Sequence, residues 1–384
     1  MKNKVVIVGG GMVGAAAAVS LARAGCAVTL IEQAPIDAQQ VLDDDSIDIR
    51  VSAINRFSER LLDSLGAMPL LRATRAAPYH RLTAFESGNN VLSFDKEEVN
   101  ATHLGHIVEN KLIQASLWQQ FADLPITVKA FAKPAKAVRF VAEHVVLEYD
   151  SETLSADLLI AADGGRSHIR QLANIGVTGW QYQQHCMGIL IKLDAPQQLE
   201  TWQQFKPSGP VALLPMSAPY ANLIWYDEGT KLQQLSQLSP DSLKAAITAH
   251  FPPLPGDFEV LQSAVFPLAR QHANHYFKNR VVLVGDAAHT INPLAGQGVN
   301  LGFKDVDALT RSLDLTDIGA ELGLKSYARK RRGDNLLMMS MMDACYFGFS
   351  NQLKPLQQLR ELVLKVANKA GPLKAQVLKH AMGD

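Results

Sequence analysis

The sequence predicts an α/β fold with a β-rich domain interleaved into the first domain and with helices at the C-terminus. Short β-branched runs, typical of buried parallel strands, occur near both ends of the chain, and each leads into a glycine-containing turn and a helical pattern. Between them, residues 180–226 are rich in aromatic residues and proline and contain strand-like segments. Because the strand–turn–helix patterns lie on both sides of this β-rich region, the sequence predicts that the first domain is discontinuous.

The first 32 residues predict a complete β-α-β unit, the beginning of a Rossmann-like domain. Val5–Val8 is the first strand, and an alanine-rich helix runs from the following glycines to about Ala24. Gly25 provides a C-terminal stop, after which Ala27–Ile31 forms a second strand that ends at Glu32.

The turn between the first strand and its helix carries a dinucleotide-binding pattern. Gly9 permits the tight turn, Gly11 lets a pyrophosphate approach the backbone, and Gly14 lets helix and strand pack closely. The helix N-terminus favours the phosphate charge. Glu32, roughly 20 residues further on, is positioned for an unphosphorylated ribose. Glycines in a loop are often only a turn, but strand, helix and acid together favour FAD or NAD.

The segments between the two ends alternate between strand-like and helical patterns. Residues 35–50 are polar and acidic and predict an exposed loop, whereas Asn55–Leu65 has helical spacing. Val138–Tyr149 alternates like one antiparallel strand, and Asp157–Ala162 predicts a strand that leads into Asp163-Gly164. Further strands are expected at 188–193, 211–214, 222–226 and 259–268, and a helix at 238–251.

A second glycine-containing turn follows the last predicted strand, Arg280–Val284. It reads Gly285-Asp286-Ala287-Ala288-His289, and residues 296–300 (GQGVN) then open a helix. An aspartate at the carboxyl end of a parallel strand lies where α/β folds bind ligands, and it can accept hydrogen bonds from ribityl hydroxyls. The glycines expose helix N–H groups that can face an electron-rich ring edge. Asp286 alone would indicate an N-cap, but the whole string favours a flavin.

Composition and charge exclude other classes of protein. With 37 Lys+Arg against 37 Asp+Glu the net charge is zero, which argues against a nucleic-acid partner. Three cysteines, far apart, fit neither a disulfide framework nor a zinc site, and we expect no metal. No apolar run reaches about 18 residues and no signal peptide is recognisable, so we expect a cytoplasmic protein.

Over nearly its whole length the chain resembles the single-component FAD-dependent aromatic hydroxylases. Three stretches carry the resemblance: the glycine turn Gly9–Gly14, Asp163-Gly164 with Arg166 and Arg170, and the longer segment Gly285–Leu309. Within this family, the match is to the ubiquinone-biosynthesis hydroxylases, through two further motifs at 50–55 (RVSAIN) and 105–110 (GHIVEN). Within this subgroup, the chain is most similar to hydroxylases that act on a prenylated methoxy-benzoquinol. The segments that carry this likeness are 180–187, 202–205, 222–227 and 334–351.

The resemblance implies roles for individual residues. Asp286 would hold the ribityl chain, residues 296–300 would line the isoalloxazine, and Glu32 would bind the adenosine ribose. Arg50 would lie near the FAD phosphates or the flavin, and Asp163 would support both FAD and transient NAD(P)H. The candidate cofactor-binding residues are thus Gly9, Gly11, Gly14, Glu32, Arg50, Asp163, Asp286, Gly296, Gln297, Gly298, Val299 and Asn300.

Other residues have a functional and an ordinary interpretation. For Arg166 and Arg170, surface ion pairs are an equal alternative to a ligand contact. No side chain is expected to be catalytic by itself, although His289 and Pro293 would lie near the flavin. For His289, a histidine satisfied within its turn is the favoured alternative.

The family's chemistry implies that NAD(P)H reduces FAD, that O₂ forms a flavin C4a-hydroperoxide, and that one oxygen passes to a ring carbon beside a hydroxyl. This reaction needs a dry pocket, since water would collapse the oxidant. Aromatic residues of the middle region are candidates for the pocket wall, with core packing as the alternative for each: Tyr182, Trp202, Phe205, Trp225, Tyr226 and Phe266.

Rival functions are distinguished by missing motifs. The chain has one dinucleotide pattern and no Cys-x-x-Cys, which argues against disulfide reductases, and no Trp-x-Trp, which argues against flavin-dependent halogenases. Two alternatives stay open: a sister hydroxylase that acts at another ring position, and a redox-inactive FAD-binding scaffold of a biosynthetic complex.

The predicted FAD-binding domain comprises residues 1–75, 100–178 and 270–325. The substrate domain comprises 76–99 and 179–269, and a C-terminal helical region follows at 326–384. Arg329–Arg332 predicts a basic turn beside a methionine-rich helix. A solvated turn is the ordinary interpretation, and contact with anionic lipid at the inner membrane or with partner proteins is the alternative.

Overall fold

A computed structural model describes residues 3–86, 91–292, 296 and 298–349, with the side chains of 345–347 and 349 excepted. Pro293, Gln297 and residues 350–384, which carry part of the predictions above, lie outside the described residues.

The strands are Lys4–Val8 (β1), Ala27–Ile31 (β2), Val51–Asn55 (β3), Ala77–Tyr79 (β4), Arg81–Phe85 (β5), Val91–Asp95 (β6), Gly105–Glu109 (β7), Ile126–Lys129 (β8), Ala137–Val141 (β9), His144–Glu148 (β10), Thr153–Ala156 (β11), Leu158–Ala161 (β12), Val177–Leu193 (β13), Glu200–Gln204 (β14), Val211–Pro215 (β15), Tyr220–Glu228 (β16), Phe258–Ala273 (β17), Phe277–Lys278 (β18), Val281–Leu283 (β19) and His289–Thr290 (β20). The helices are Met12–Arg23 (α1), Ala38–Asp43 (α2), Arg56–Ser64 (α3), Met68–Thr74 (α4), Asn110–Trp118 (α5), His168–Leu172 (α6), Gly229–Ser236 (α7), Pro240–His250 (α8), Gly298–Ser312 (α9) and Glu321–Phe349 (α10).

A six-stranded sheet in the order β18-β19-β12-β1-β2-β8 forms the centre of the main core. Its neighbours pair in parallel except for β18 with β19. The strands β12 and β19 are buried throughout, which explains their continuous apolar sequences. The predicted parallel strands at Val5–Val8, Ala27–Ile31, Asp157–Ala162 and Arg280–Val284 are therefore confirmed, with ends shifted by a residue or two.

An eight-stranded sheet in the order β20-β17-β13-β16-β15-β14-β5-β6 contains the predicted middle strands. Two of them are longer than the sequence indicated: β13 has 17 residues and β17 has 16. The helix expected at 238–251 is α8, which begins after Ser239, whose hydroxyl accepts a hydrogen bond from the Ser242 N–H. A second core lies between this sheet and the helices α7 and α8.

Three expectations are corrected. The acidic loop at 35–50 contains α2, which Asp37 caps by accepting from the Gln40 N–H. Residues 138–149 form a hairpin of β9 and β10 rather than one strand. A two-residue turn at 142–143 without glycine or proline continues the alternating pattern, so the pattern conceals the reversal; Ala142 adopts φ 50° there. The basic residues 329–332 lie inside α10 and are not a turn.

Segments distant in sequence share sheets. Residues 81–95 and 177–273 contribute strands to the eight-stranded sheet, and β3, β7 and β4 form a small antiparallel sheet of their own. The division into domains drawn from the sequence stays a prediction. Among the described helices, none is both long and apolar enough to cross a membrane.

Candidate active site

Four neighbouring strands of the six-stranded sheet end at the same edge, where the turns that follow them lie side by side. In the order β19-β12-β1-β2, these turns carry Asp286, Asp163, Gly9 and Glu32. Parallel strands that end at a common edge are the place where α/β folds bind ligands. The structure therefore brings to one edge four residues that the sequence singled out in separate segments.

The glycine turn after β1 has the shape of a phosphate cradle. A Cβ at Gly9, which adopts φ 102°, would collide with the Ala162 carbonyl, and one at Gly14 would collide with the Gly9 carbonyl. A Cβ at Gly11 would meet nothing within 4 Å, so the space above Gly11 is open. Gly11 is also the N-cap of α1, and no side chain caps that helix. The first N–H groups of α1 are thus free to receive a pyrophosphate.

A cleft of about 450 Å³ opens directly above this turn. It is lined by residues from the ends of β1, β2 and β12, from the loop before β9, from the end of β10 and from α6, but by none from the turn of Asp286: Val8, Gly9, Gly11, Ile31, Glu32, Gln33, Phe131, Lys133, Pro134, Ala135, Tyr149, Ala162, Asp163, Arg166, His168 and Ile169. Apolar walls with a few convergent polar groups are typical of cofactor sites. The size and the open glycine turn fit the adenosine diphosphate part of FAD.

Three side chains hold the glycine turn in place, and two of them, Gln114 and Trp118, were not predicted from the sequence. Glu32 Oε2 accepts a hydrogen bond from the Gly10 N–H at 2.6 Å. On the other side, Trp118 Nε1 and Gln114 Nε2 donate to the Gly10 carbonyl at 2.7 and 2.8 Å. Trp118 and Gln114 lie on α5, more than 100 positions away in sequence. No local pattern points to such a contact.

The turn after β12 is tied to the turn after β19 by one buried arginine. Asp163 accepts from Ser167 Oγ at 2.5 Å and from the Ile169 N–H at 3.1 Å. Arg170 is buried and donates to the Ala287 carbonyl at 2.8 Å and to the Gly165 carbonyl at 2.9 Å. The surface ion pair considered for Arg170 is therefore wrong, because its guanidinium links two backbone turns.

Asp286 and His289 have different surroundings although they share a turn. Asp286 is accessible to solvent, and partial desolvation raises the pKa of its carboxyl above the ordinary value. His289 is 1% exposed, and its Nε2 lies 2.5 Å from Asp305 Oδ2 on α9. His289 Nε2 is thus bound to a buried partner from another element, while its buried Nδ1 has no hydrogen-bond partner among the described residues.

Asn300 is buried, and its amide is fully engaged within the protein. Its Oδ1 accepts from the Asn55 N–H at 3.0 Å and from Ser58 Oγ at 2.6 Å. Its Nδ2 donates to the carbonyls of Ala53 at 2.9 Å and Gly296 at 3.2 Å. Asn300 therefore fastens the loop at Gly296 to the junction of β3 and α3. Among its neighbours, Gly298 and Val299 are half-buried at the start of α9.

Arg50 lies outside these networks. Its side chain is 74% exposed and its Nη2 pairs with Asp48 at 3.2 Å. Arg166, by contrast, is exposed but lines the cleft above the glycine turn.

The six candidate aromatic residues do not form one wall. Tyr226 and Tyr182 pack with Cys186 and Leu268 on one face of the eight-stranded sheet. Trp225, next to Tyr226 in β16, points to the opposite face, because successive strand residues alternate. There Trp225 and Trp202 join the core under α7 and α8, and Trp225 stacks on His250. Phe266 is 42% exposed on β17. Phe205 follows β14 and is half-buried.

The structure also assembles a buried polar cluster that the sequence did not predict. Ligand atoms of Glu59, His103 and His106 lie within 4.8 Å of one another, a spacing that could hold a metal ion. However, Arg72 Nη2 lies 2.8 Å from Glu59 Oε1, and Arg56 Nε lies 3.6 Å from Oε2. These guanidinium groups already neutralise the carboxylate, so we assign no metal to this cluster.

Similarity to known proteins agrees with the geometry. The sequence family described as an FAD binding domain matches residues 2–337. The 3-demethoxyubiquinol 3-hydroxylase of Escherichia coli K12 is 42% identical over 393 residues, which cover 99% of this chain and 98% of that protein. The ubiquinone biosynthesis monooxygenase COQ6 of Danio rerio is 31% identical over 98% of this chain and 89% of its own length.

Solved structures share the fold. The p-nitrophenol 4-monooxygenase PnpA of Pseudomonas putida DLL-E4 superimposes with a TM-score of 0.79 at 19% identity and covers 100% of this chain and 96% of its own. Aklavinone-11 hydroxylase, solved with FAD and aklavinone, gives a TM-score of 0.70 at 18% identity over 90% and 69% of the two chains.

The fold and the strand-end turns define an FAD-dependent monooxygenase of the aromatic-hydroxylase class, with FAD as its cofactor. The chain belongs to the FAD binding domain family and, within it, to the ubiquinone-biosynthesis hydroxylases.

Proposed function

We propose that this protein hydroxylates the ring of a prenylated methoxy-benzoquinol in ubiquinone biosynthesis and uses NAD(P)H and O₂. The observation that carries the proposal is the 42% identity with the E. coli 3-demethoxyubiquinol 3-hydroxylase across 99% of this chain. The name of that relative gives the 3-position of a demethoxyubiquinol, and we propose the same ring position here.

We further propose a division of labour along the strand ends. Gly9–Gly14 and the α1 N-terminus would bind the pyrophosphate, and Glu32 would orient the adenosine ribose. Asp286 would accept hydrogen bonds from the ribityl hydroxyls, and Gly296 with the first residues of α9 would face the ring system. When bound, FAD supplies the oxygen activation and transfer, while these residues bind and orient it.

The substrate face is proposed to be the side of the eight-stranded sheet that carries Tyr182, Cys186 and Tyr226. These side chains form an apolar cluster with Leu268 and with Met342 of α10. Asn292, which lies four residues before Gly296 in sequence, is next to Tyr182. An apolar face at this place would exclude water from the reacting ring. We do not extend the proposal to Trp202 and Trp225, because core packing accounts for both.

The proposed reaction is tested with the purified holoprotein, NADH or NADPH, and a short-chain 3-demethoxyubiquinol. We expect quinol-stimulated oxidation of the pyridine nucleotide and a product heavier by one oxygen in mass spectrometry. Absence of both would overturn the proposal and favour the redox-inactive scaffold.

A sister hydroxylase that acts at another ring position is the second candidate. It is supported by the 32% identity with ubiquinone hydroxylase UbiL of Rhodospirillum rubrum over 99% of this chain. Quinone intermediates of a deletion strain separate the two candidates: a demethoxy species supports the 3-position, and an intermediate lacking an earlier hydroxyl supports the sister enzyme.

Gly11 offers a direct test of the cofactor cradle. A Cβ at Gly11 meets nothing within 4 Å and the residue has φ −65°, so Gly11→Ala should fold normally. The added methyl group would occupy the proposed phosphate space, and we expect the Kd for FAD to rise roughly tenfold or more. Gly333→Ala on α10, where a Cβ also meets nothing, is the matched control. Equal FAD affinity in both variants would contradict the cradle.

We also propose a cytoplasmic location with peripheral contact to the inner membrane through α10. Leu337 is 60% and Met341 49% exposed on this helix, close to the exposed cations Arg329 and Lys330. Apolar side chains beside cations are typical of helices that lie on anionic membranes. Vesicles with and without anionic phospholipid test this: Leu337→Ser with Met341→Ser should reduce co-flotation, and unchanged flotation would contradict the contact.

A further inference from the structure

A fully buried carboxylate stands directly behind the turn that carries Asp286. Asp305 of α9 is 0% exposed. Its Oδ2 accepts from the Gly285 N–H at 3.0 Å and lies 2.5 Å from His289 Nε2. Asp305 therefore grips the turn on both sides of Asp286, through the residue before it and through the histidine three positions after it.

The other oxygen of Asp305 is held by the C-terminal helix. Oδ1 accepts from Arg331 Nε at 2.8 Å and from Asn335 Nδ2 at 3.2 Å. Both donors lie on α10 and are buried, Arg331 being 3% exposed. All four lone-pair positions of the carboxylate are thus occupied, two by the turn and two by the helix.

A third residue of α10 reinforces the same attachment. Tyr327 is buried and donates its hydroxyl hydrogen to the Leu283 carbonyl, in the strand that leads to Asp286, at 2.7 Å. Tyr327, Arg331 and Asn335 follow one another at four-residue intervals, so they form one polar stripe on the inner side of the helix. The stripe faces β19 and its turn, whereas Arg329 and Lys330 are exposed.

The electrostatics of Asp305 favour a permanently ionised group. Burial alone would raise its pKa, but the charges and hydrogen bonds of His289 and Arg331 outweigh burial and hold the pKa below its ordinary value. A buried ion pair whose hydrogen bonds are all made has little freedom to move, and breaking it leaves an uncompensated charge. Such a pair can fix the geometry of the backbone that it holds.

We propose that Asp305, anchored by Arg331 and Asn335, is a positioning residue that presents the Asp286 turn to FAD, so that α10 sets the affinity for the cofactor. The proposal rests on the proposed role of Asp286 in holding the ribityl chain. Asp305 and Arg331 would act through the turn and would not contact FAD themselves.

The proposal is tested by titrating full-length apoprotein with FAD and following flavin fluorescence. Asp305→Asn keeps the shape but removes the charge, and Arg331→Met removes the anchor. We expect the Kd for FAD to rise at least tenfold in Asp305→Asn and severalfold in Arg331→Met, with a shifted visible flavin spectrum at saturation. Arg331→Lys, which keeps a cation near Oδ1, should restore part of the affinity.

Matched controls lie on the same two helices. Asp307→Asn on α9 removes a carboxylate that pairs only with the exposed Arg311 among the ion pairs described, and Arg329→Met on α10 removes an exposed cation. Both should bind FAD within twofold of the parent protein. A folded Asp305→Asn protein that also binds FAD within twofold would overturn the proposal.

Two further variants keep the outcome decisive. If Asp305→Asn does not fold, Asn335→Ala removes one hydrogen bond to Asp305 Oδ1 together with the bonds of Asn335 to Arg331 and Tyr276. A Kd increase of threefold or more is expected; no increase would overturn the proposal. Asp286→Asn distinguishes the role of Asp286 itself from the support that Asp305 gives to its turn. An unchanged Kd in Asp286→Asn beside a raised Kd in Asp305→Asn would refute the role of Asp286 but leave the support of the turn intact. The reverse pattern would refute the support alone.

Discussion

Two buried carboxylates, Asp305 and Glu59, stand behind the predicted flavin site and are neutralised in different ways. The partners of Asp305 are as deeply buried as the carboxylate, with Arg331 3% and His289 1% exposed. Glu59 adjoins Ser58, whose hydroxyl donates to Asn300, and it is 5% exposed. Its guanidinium partner at hydrogen-bond distance, however, is the half-exposed Arg72.

The difference shows that burial of a carboxylate alone does not determine how much its ion pair contributes to stability. The pKa of Glu59 is lowered to about 2, since hydrogen bonds and charges from His103, Arg72 and His106 outweigh burial, which acts in the opposite direction. Water reaches Arg72 and screens its charge, and Arg72 is one of several groups that neutralise Glu59. Arg331 is the guanidinium partner of Asp305 and both groups are buried, so we expect this pair to be costly to break and less sensitive to salt.

The largest effect is expected from removing Arg331. Arg331→Met leaves Asp305 ionised inside the protein without its guanidinium partner, and we expect a loss of about 3–5 kcal/mol in the free energy of unfolding. Chemical denaturation of the FAD-free protein, followed by circular dichroism, measures it. The exposed Arg329→Met should change the free energy by less than about 0.5 kcal/mol. A loss below about 1 kcal/mol in Arg331→Met would show that this buried pair contributes no more to stability than an exposed ion pair does.

The second effect concerns pH and the Glu59 cluster. Burial, followed by the positive charge of His103, lowers the pKa of His106 from 6.5 to about 4. Between these values the unfolded chain binds a proton that the folded protein does not bind. Stability should therefore fall as the pH drops from about 6.5 to about 4, by on the order of 2 kcal/mol from this residue. Above pH 6.5 the contribution is level.

His106→Gln removes this titration and should flatten the stability profile in that window. Denaturation midpoints at pH 7 and pH 4.5 measure the change, and the exposed His275→Gln serves as the control, with the slope of the parent protein. A His106→Gln profile as steep as that of the parent would mean that other groups cause the acid sensitivity.

Local patterns predicted the strand-end residues but not the networks behind them. Gly9, Glu32 and Asp286 were predictable because a strand, a glycine turn and an acid follow one another directly in sequence. Asp305 and Arg331, which lie on two different helices, are 26 positions apart in sequence, and Trp118 contacts Gly10 across 108 positions. Propensity and spacing carry no information on such contacts.

The aromatic residues show a different limit. The expectation of one wall overlooked the alternation of side chains along a strand, which alone separates Trp225 from Tyr226. That separation could have been predicted from the sequence. Four consecutive basic residues at 329–332 predict a solvated turn, yet Arg331 is buried while its neighbours are exposed. A helical period of about 3.6 residues places one member of such a run inward, but only a partner such as Asp305 makes burial of a charge favourable.

The smallest effect is expected from Arg72, and it defines the comparison most sharply. Arg72→Met removes an ion pair to Glu59 at 2.8 Å and a weaker one to Asp63 at 3.4 Å. Because Arg72 is half exposed and His103 stays 2.7 Å from Glu59, we expect a loss of about 0.5–1 kcal/mol at low salt. The loss should shrink as sodium chloride is raised toward about 1 M, where the screening length is about 3 Å. The cost of Arg331→Met should change much less over the same range, because its pair with Asp305 is buried and only its second pair, with the exposed Asp334, is screened. If the two substitutions cost the same and respond alike to salt, the exposure of the cation does not decide the strength of a pair on a buried carboxylate.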